Sequence, residues 1–275
     1  MGNEQGGPKM KGKSLEIPRI IHYCWFGGTE PTEEVKRCIK SWEKYCPDYQ
    51  IIRWDESNYD YAKYTFAKEA YERKKWAFVS DVARLDVVYQ YGGIYLDTDV
   101  ELVKPIDFLL KEQAFMGIER GRLVNTGLGF GARAGHKLIG ENLDAYSQMK
   151  FVKDNGELNL IPCPQVTTAI LVQYGFKRRD EMQIIEDIKI FSSEYFCPML
   201  LSDGSAEITN KTISIHHYAG TWTSDVEKKG VQKRRLVYTY LGKRGLRIYD
   251  GFVLLKTKGV RAFIKRCKEI IWKQT

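Results

Sequence analysis

A mixed α/β fold follows from three features of this 275-residue chain. The chain opens in β-helix-β order, strands and helices then keep alternating, and one apolar segment ends on two aspartates. "IPRIIHYCWFG" starts at Pro18 and continues β-rich, so a first strand is predicted over residues 19–25, broken by Gly27-Gly28. In "PTEEVKRCIKSWEKYC", Val35, Cys38, Ile39, Trp42 and Tyr45 recur at helical spacing behind Pro31 and two acids. "YQIIRWD" is a second short strand, and this order opens a parallel, doubly wound sheet. The segment from Ser80 to Tyr91 is predicted as a helix with Val82, Leu85, Val88 and Tyr89 on its apolar side. Gly92-Gly93 suits its C-terminus, because glycine tolerates the left-handed conformation there. Ile94 to Asp97 comes next as a strand. "AFMGIER", "GLGFGAR" and "TISIHHYAG" are further strands, and "HKLIGENLDAYSQMK" and "QVTTAILVQYG" further helices.

Composition narrows the class. Apolar residues make up 43% and aromatics 13%, enough for a sizeable core. Without an apolar run of about 18 residues, no segment is expected to span a membrane. The start "MGNEQGGPKMKGKSLE" has neither the apolar stretch of a signal peptide nor, with Gly6 in place of Ser or Thr, a myristoylation pattern. Residues 1–16 are expected to be a flexible tail. The six cysteines show no CxxC spacing, so zinc ligation has no support and reduced thiols in a cytoplasmic setting are expected. The net charge of +8 is uneven: residues 228–275 hold 15 Lys/Arg against Asp250 and Glu269. The tail "GVRAFIKRCKEIIWKQT" places Val260, Phe263, Ile264, Cys267, Ile270 and Ile271 at helical spacing. Such a basic amphipathic helix either docks on its own domain or lies on an anionic membrane surface.

The chemistry concentrates in "YGGIYLDTD". Desolvating an unpaired carboxylate costs several kcal/mol, and a like-charged neighbour adds to it, so a positive partner is expected there. In an extended strand Asp97 and Asp99 point the same way, two hard oxygen ligands suited to Mg²⁺ or Mn²⁺ with a substrate phosphate. Ligands in open α/β sheets bind at the carboxyl ends of the strands, where these residues stand. Asp81 and Arg84, at i and i+3, share a helical face; the pair would grip sugar hydroxyls or form an ordinary surface ion pair. A DxD-type Mg²⁺-dependent phosphatase is a rival reading, but Glu101 stands where that motif needs Thr or Val and no later acidic pair completes its site. A non-catalytic nucleotide-sugar or glycan-binding protein is the second rival.

The block "SDVARLDVVYQYGGIYLDTDV" resembles the DXD sugar-binding region of capsular-polysaccharide and Och1-like glycosyltransferases, the GT32 type, and of the catalytic domains of large clostridial glucosylating toxins. "IPRIIHYCWFGG" is similar to that family's first strand and "HHYAGTW" to its C-terminal motif, so the resemblance runs from about Ile17 to Trp222. It implies a GT-A fold, a Rossmann-like mixed sheet flanked by helices, over residues 17–225, with a basic helical C-terminal extension over 226–275. It also implies Mn²⁺ or Mg²⁺, a nucleotide-sugar donor and retention at the anomeric carbon. Residue by residue, Trp25 matches the tryptophan stacked on the nucleobase, and Asp81 and Arg84 match the pair holding donor sugar and ribose. Asp97 matches the DXD aspartate shared between sugar and metal, Asp99 the direct metal ligand, and Asn125 a donor-sugar contact. Trp222 matches the residue that closes over the diphosphate. Counting back from Trp222, the resemblance puts His217 at the family's remaining metal-ligand position; adjacent strand residues face opposite ways, so only one of His216 and His217 is expected to coordinate. His22 and His136 are expected to be structural.

The resulting expectation is a metal-dependent retaining hexosyltransferase. It would use a UDP-hexose or UDP-N-acetylhexosamine, with GDP-mannose the alternative, to extend bacterial surface or capsular polysaccharide. The acceptor would be a glycan or lipid-linked glycan and not a nucleic acid, and the basic tail would touch the inner face of the plasma membrane.

Overall fold

The computed structural model describes residues 16–120, 122–198 and 206–218, with helical pieces at 245, 248–249, 251–253, 255–256 and 259–260. The chain divides into two compact units, Met1–Ala219 and Gly220–Thr275. Trp222 and most of the expected basic helix lie outside the described residues.

The first unit begins with β1 (Ile20–Cys24), α1 (Glu33–Tyr45) and β2 (Gln50–Trp54). β2 lies parallel to β1 with Ile21 opposite Ile51, the predicted β-α-β opening. The Thr32 hydroxyl accepts from the Val35 N–H at 3.3 Å, and Glu33 and Glu34 occupy the positive first turn of α1. Its buried stripe is Val35, Cys38 and Trp42. Two helices, α2 (Thr65–Glu72) and α3 (Trp76–Tyr91), follow; only the second was expected, over 80–91.

α3 is not the half-exposed helix its periodicity predicts. It is buried from Asp81 through Val88, charged residues included, while Tyr89, expected on the apolar side, is 38% exposed. Interior acids on such a helix need partners. Asp86 has four: Lys63 Nζ at 3.0 Å, the Tyr59 and Tyr64 hydroxyls at 3.2 and 3.0 Å, and Gln90 Nε2 at 2.7 Å. Asp81 and Arg84 have each other.

The rest of the unit is β3 (Gly93–Tyr95), β4 (Val100–Leu102), β5 (Ala114–Ile118), β6 (Val124–Asn125), β7 (Phe130–Ala132), α4 (Lys137–Ser147), α5 (Cys163–Gln173), β8 (Gln183–Ile185), β9 (Ile188–Phe191), α6 (Ser193–Phe196) and β10 (Ser214–His216). The main sheet is mixed, in the order β2-β1-β3-β7-β5-β9-β8, with β6 beside β5. β1 pairs parallel with both β2 and β3, and β5 with β9, whereas β7 runs against β3 and β5. One hydrophobic cluster joins the sheet to α2, α3, α4 and α5; a second joins it to α1 and α6. The α/β class, a sheet flanked by helices, is therefore the one expected.

Two glycines set how α3 feeds β3. Gly92, at φ 67°, caps the helix by donating its N–H to the Val88 carbonyl at 2.9 Å. Gly93 lies so close to β1 that a Cβ there would stand 2.9 Å from both His22 Nε2 and the Ile20 carbonyl. The fully buried His22 is fixed as a neutral ring: Nε2–H donates to the Gly92 carbonyl at 2.8 Å and Nδ1 accepts from Trp54 Nε1 at 3.1 Å. Burial pushes its pKa from 6.5 down to about 4, only partly opposed by the Gly92 carbonyl. Between those values the unfolded chain binds a proton that the folded one refuses. Stability from this group is thus complete above pH 6.5 and falls by about 3 kcal/mol as the pH drops to 4. Nitrogen shifts of the His22 ring are expected to keep the neutral Nε2–H pattern at pH 5; a protonated ring at that pH would refute this.

Candidate metal and donor-sugar site

Strand β3 stops at Tyr95, short of both aspartates. Asp97 and Asp99 instead flank a turn closed by the Val100 N–H donating to the Asp97 carbonyl at 3.0 Å. Their convergence therefore comes from this turn and from the strand after it, and strand alternation plays no part. Beyond the turn the chain enters β4, which pairs antiparallel with β10 in a separate ribbon with His216 opposite Val100. Trp42 Nε1 donates to the Val100 carbonyl at 2.7 Å, and the Leu102 N–H donates to Ser41 Oγ at 2.9 Å, which holds the ribbon on α1.

That register decides between the two histidines, and it corrects the expectation for His217. His216 Nε2 stands 3.2 Å from Asp99 Oδ1 and 3.9 Å from Asp97 Oδ2. His217 faces the other way, with Nε2 2.8 Å from Glu101 Oε2, and meets Asp99 only through its backbone N–H, which donates to the Asp99 carbonyl at 3.0 Å. Ligand atoms of Asp97, Asp99 and His216 all lie within 4.8 Å of one another. Two carboxylates and an imidazole suit a divalent cation such as Mn²⁺ or Mg²⁺. Burial works against charging His216, but Asp99 and Asp97 outweigh it and raise its pKa to about 9. The pocket is thus electrostatically short of positive charge, and the buried His216 Nδ1 has no hydrogen-bond partner. These residues fit a bound cation.

The residues expected to hold the donor sugar lie directly behind. Arg84 Nη2 sits 3.1 Å from both Asp81 Oδ1 and Asp97 Oδ1, and its guanidinium lies 5.0 Å from the centre of the Tyr95 ring. The Tyr95 hydroxyl donates to Asp97 Oδ1 at 3.0 Å. The Asp81–Arg84 pair is therefore buried, not the surface pair its spacing also allows. Burial raises the Asp81 pKa to about 6, against the pull of Arg84 and with the help of Asp97. Asn125 Nδ2 donates to Glu119 Oε2 at 3.0 Å, while its Oδ1 accepts from the Gly127 N–H at 2.7 Å. Burial in turn raises the Glu119 pKa, with Asn125 pulling it back. Trp25 is half-buried after β1, with Nε1 donating to the Thr29 carbonyl at 2.7 Å.

Two further residues complete the pocket wall and escape sequence reasoning. A Cβ at Gly127 would overlap the Asp97 carboxylate and stand 3.0 Å from Asn125 Oδ1 and 3.1 Å from Arg84 Nη1, so only glycine lets these side chains meet. Its glycine-rich setting, "NTGLGFGAR", was the available signal. Cys163, at the start of α5, places its thiol 3.7 Å from both Arg84 Nη1 and Asn125 Oδ1.

Part of the chain is similar to known proteins. Residues 32–116 match the family model described as a glycosyltransferase sugar-binding region containing a DXD motif. Inositol phosphoceramide mannosyltransferase 1 of Schizosaccharomyces pombe is 31% identical over 116 residues, covering 38% of this chain and 35% of that protein. Human alpha-1,4-N-acetylglucosaminyltransferase is 32% identical over 74 residues, 26% of this chain and 20% of that protein. The chain thus spans about a third or less of the length of these relatives. Among solved structures, the PaToxG glycosyltransferase overlaps 57% of this chain and 69% of its own, with 20% identity and a TM-score of 0.47. Asp81, Arg84, Asp97 and Asp99 all fall within the matched segment, and the chain carries, in residues 32–116, a glycosyltransferase sugar-binding region of the DXD type.

Proposed function

We propose that the protein is a metal-dependent retaining glycosyltransferase that moves a hexose or N-acetylhexosamine from a nucleotide sugar to a glycan or lipid-linked glycan acceptor. The observation that carries this reading is the convergence of Asp97, Asp99 and His216 next to the buried Asp81–Arg84 pair. A cation held there would neutralise the donor diphosphate and stabilise charge on the leaving nucleotide. Asp81 and Arg84 offer an acceptor and a donor to sugar hydroxyls, and Asn125 is placed to orient the same ring. Arg84 also fixes Asp97, so sugar binding and cation binding share one rigid side chain. Positioning and electrostatics would then supply most of the rate. Among donors UDP-sugars are favoured, and the mannosyltransferase relatives make GDP-mannose the alternative. Bacterial surface or capsular polysaccharide is the product we favour.

The test is a panel of UDP- and GDP-sugars incubated with Mn²⁺ or Mg²⁺, scoring release of free sugar. Hydrolysis of a subset, abolished by chelation and restored by the metal, is expected. Phosphate release from sugar phosphates without any turnover of nucleotide sugars would overturn the reading in favour of a phosphatase.

We place the enzyme in the cytoplasm, peripheral on the inner face of the membrane. The support is the basic C-terminal segment, in which Ile248, Phe252 and Val260 are 63%, 66% and 60% exposed. Apolar side chains on a cationic segment bind anionic lipid through both contributions. Flotation with vesicles containing phosphatidylserine is expected to carry the full chain and to leave a chain lacking 228–275 behind. Equal flotation of the two would refute it.

A further inference from the structure

Outside the aspartate site, the surface between α2 and the start of α3 opens into a cavity of about 450 Å³ whose walls include Tyr61, Lys68, Tyr71, Glu72, Lys74 and Trp76. Its wall is aromatic. Tyr61 and Tyr71 stack with ring centres 3.8 Å apart, and Trp76 meets Tyr71 edge-on at 5.0 Å. All three rings are half-buried, so part of each reaches solvent.

The rim is cationic. Lys68 and Lys74 are exposed and make no ion pair among the described residues, whereas Glu72 has Arg73 at 3.7 Å. Lys74 is held at φ 57°, a conformation that disfavours any residue with a Cβ. The turn is tied by the Lys74 N–H donating to the Tyr71 carbonyl at 2.8 Å and the Lys75 N–H to the Ala70 carbonyl at 2.9 Å. These two bonds close α2 in the left-handed conformation common at helix ends and fix Lys74 at the cavity edge. The cavity is also coupled to the loop after β1. Glu56 Oε1 accepts from the Tyr71 hydroxyl at 3.2 Å and from the Gly27 N–H at 2.7 Å. A Cβ on Gly27 would stand 2.7 Å from Trp76 Nε1, so this loop, just beyond Trp25, rests directly on the aromatic wall.

We propose that this cavity is a binding site for a sugar ring that carries a negative charge. The apolar C–H face of the ring would lie on Trp76 and the tyrosines, and its phosphate or carboxylate would be met by Lys68 and Lys74. A largely aromatic pocket with a few charged groups at its edge selects for that combination, since neither a neutral sugar nor a free anion uses both halves.

The full chain is titrated, without nucleotide or metal, with glucose 6-phosphate, glucuronate, glucose and inorganic phosphate. Tryptophan fluorescence and saturation transfer from protein to ligand protons monitor the binding. Saturable binding of the charged sugars is expected, at least about tenfold tighter than glucose or phosphate, and the preferred charged sugar tells phosphate from carboxylate. The double variant Lys68→Ala/Lys74→Gly is expected to lose about fivefold to tenfold of that affinity, in line with two exposed ion pairs, while its thermal midpoint stays unchanged because glycine suits φ 57°. Equal binding of phosphate and glucose 6-phosphate, no binding of either charged sugar, or a double variant that binds as tightly as wild type would overturn the proposal. None of these outcomes bears on donor hydrolysis, which is measured separately.

Discussion

Asp99→Ala is expected to lower nucleotide-sugar hydrolysis by at least about 10²- to 10³-fold, the scale on which one electrostatic stabiliser of a transition state acts. His216→Ala is expected to fall into the same range, and His217→Ala to stay within a few-fold of wild type. The contrast is set by geometry. His216 faces Asp99 at 3.2 Å, whereas the His217 ring is spent on Glu101 at 2.8 Å, a partly exposed pair of small energetic weight. Mn²⁺ affinity, read by calorimetry in the presence of UDP, should fall with the first two variants and not with the third. Full activity in Asp99→Ala, or a larger loss for His217→Ala than for His216→Ala, would refute the ligand assignment.

Arg84→Met should cost the fold about 3–5 kcal/mol at pH 7–8, the penalty for removing one partner of a buried ion pair. Methionine fills the space, but Asp81 then lies buried without its cation, and Asp97 loses the same guanidinium. Asp81 already has its pKa raised to about 6 by burial while Arg84 pulls it down, so loss of Arg84 raises it further. A folded state that holds a proton more tightly than the unfolded one loses stability as the pH rises, so the deficit should shrink on going from pH 8 to pH 5. The double variant Asp81→Asn/Arg84→Met should recover part of the loss at neutral pH without recovering activity. Urea midpoints across that pH range decide it: a deficit that does not change with pH would show that packing and not charge holds Arg84 in place.

Much of the first unit was legible in order. The periodicity of Val35, Cys38 and Trp42, the glycine pair after α3 and the apolar segment before Asp97 are local patterns, and each element they predicted is present. The interior stretches were harder. α3 is buried nearly all round, so its apolar periodicity was blurred and its first turn, from Trp76, was missed. The short strands β4, β6, β8 and β9 carry two to four residues each, too few to show alternation.

For the site the division has one physical cause. The sequence by itself singled out the candidate side chains, because DXD, the acid–arginine pair one helical turn apart and Asn-Thr-Gly are short-range patterns. It could not determine which histidine faces the aspartates, because that depends on the register of β10 against β4, two strands far apart along the chain. Nor could it assign the contacts of Cys163 or the role of Gly127, whose meaning lies only in which side chains come within 4 Å of them. Residue types and local spacing are written in the chain, whereas the meeting of Asp99 with His216 and of Arg84 with Asp97 was decided by tertiary packing, since contacts between distant segments exist only once the sheet and its ribbon have formed.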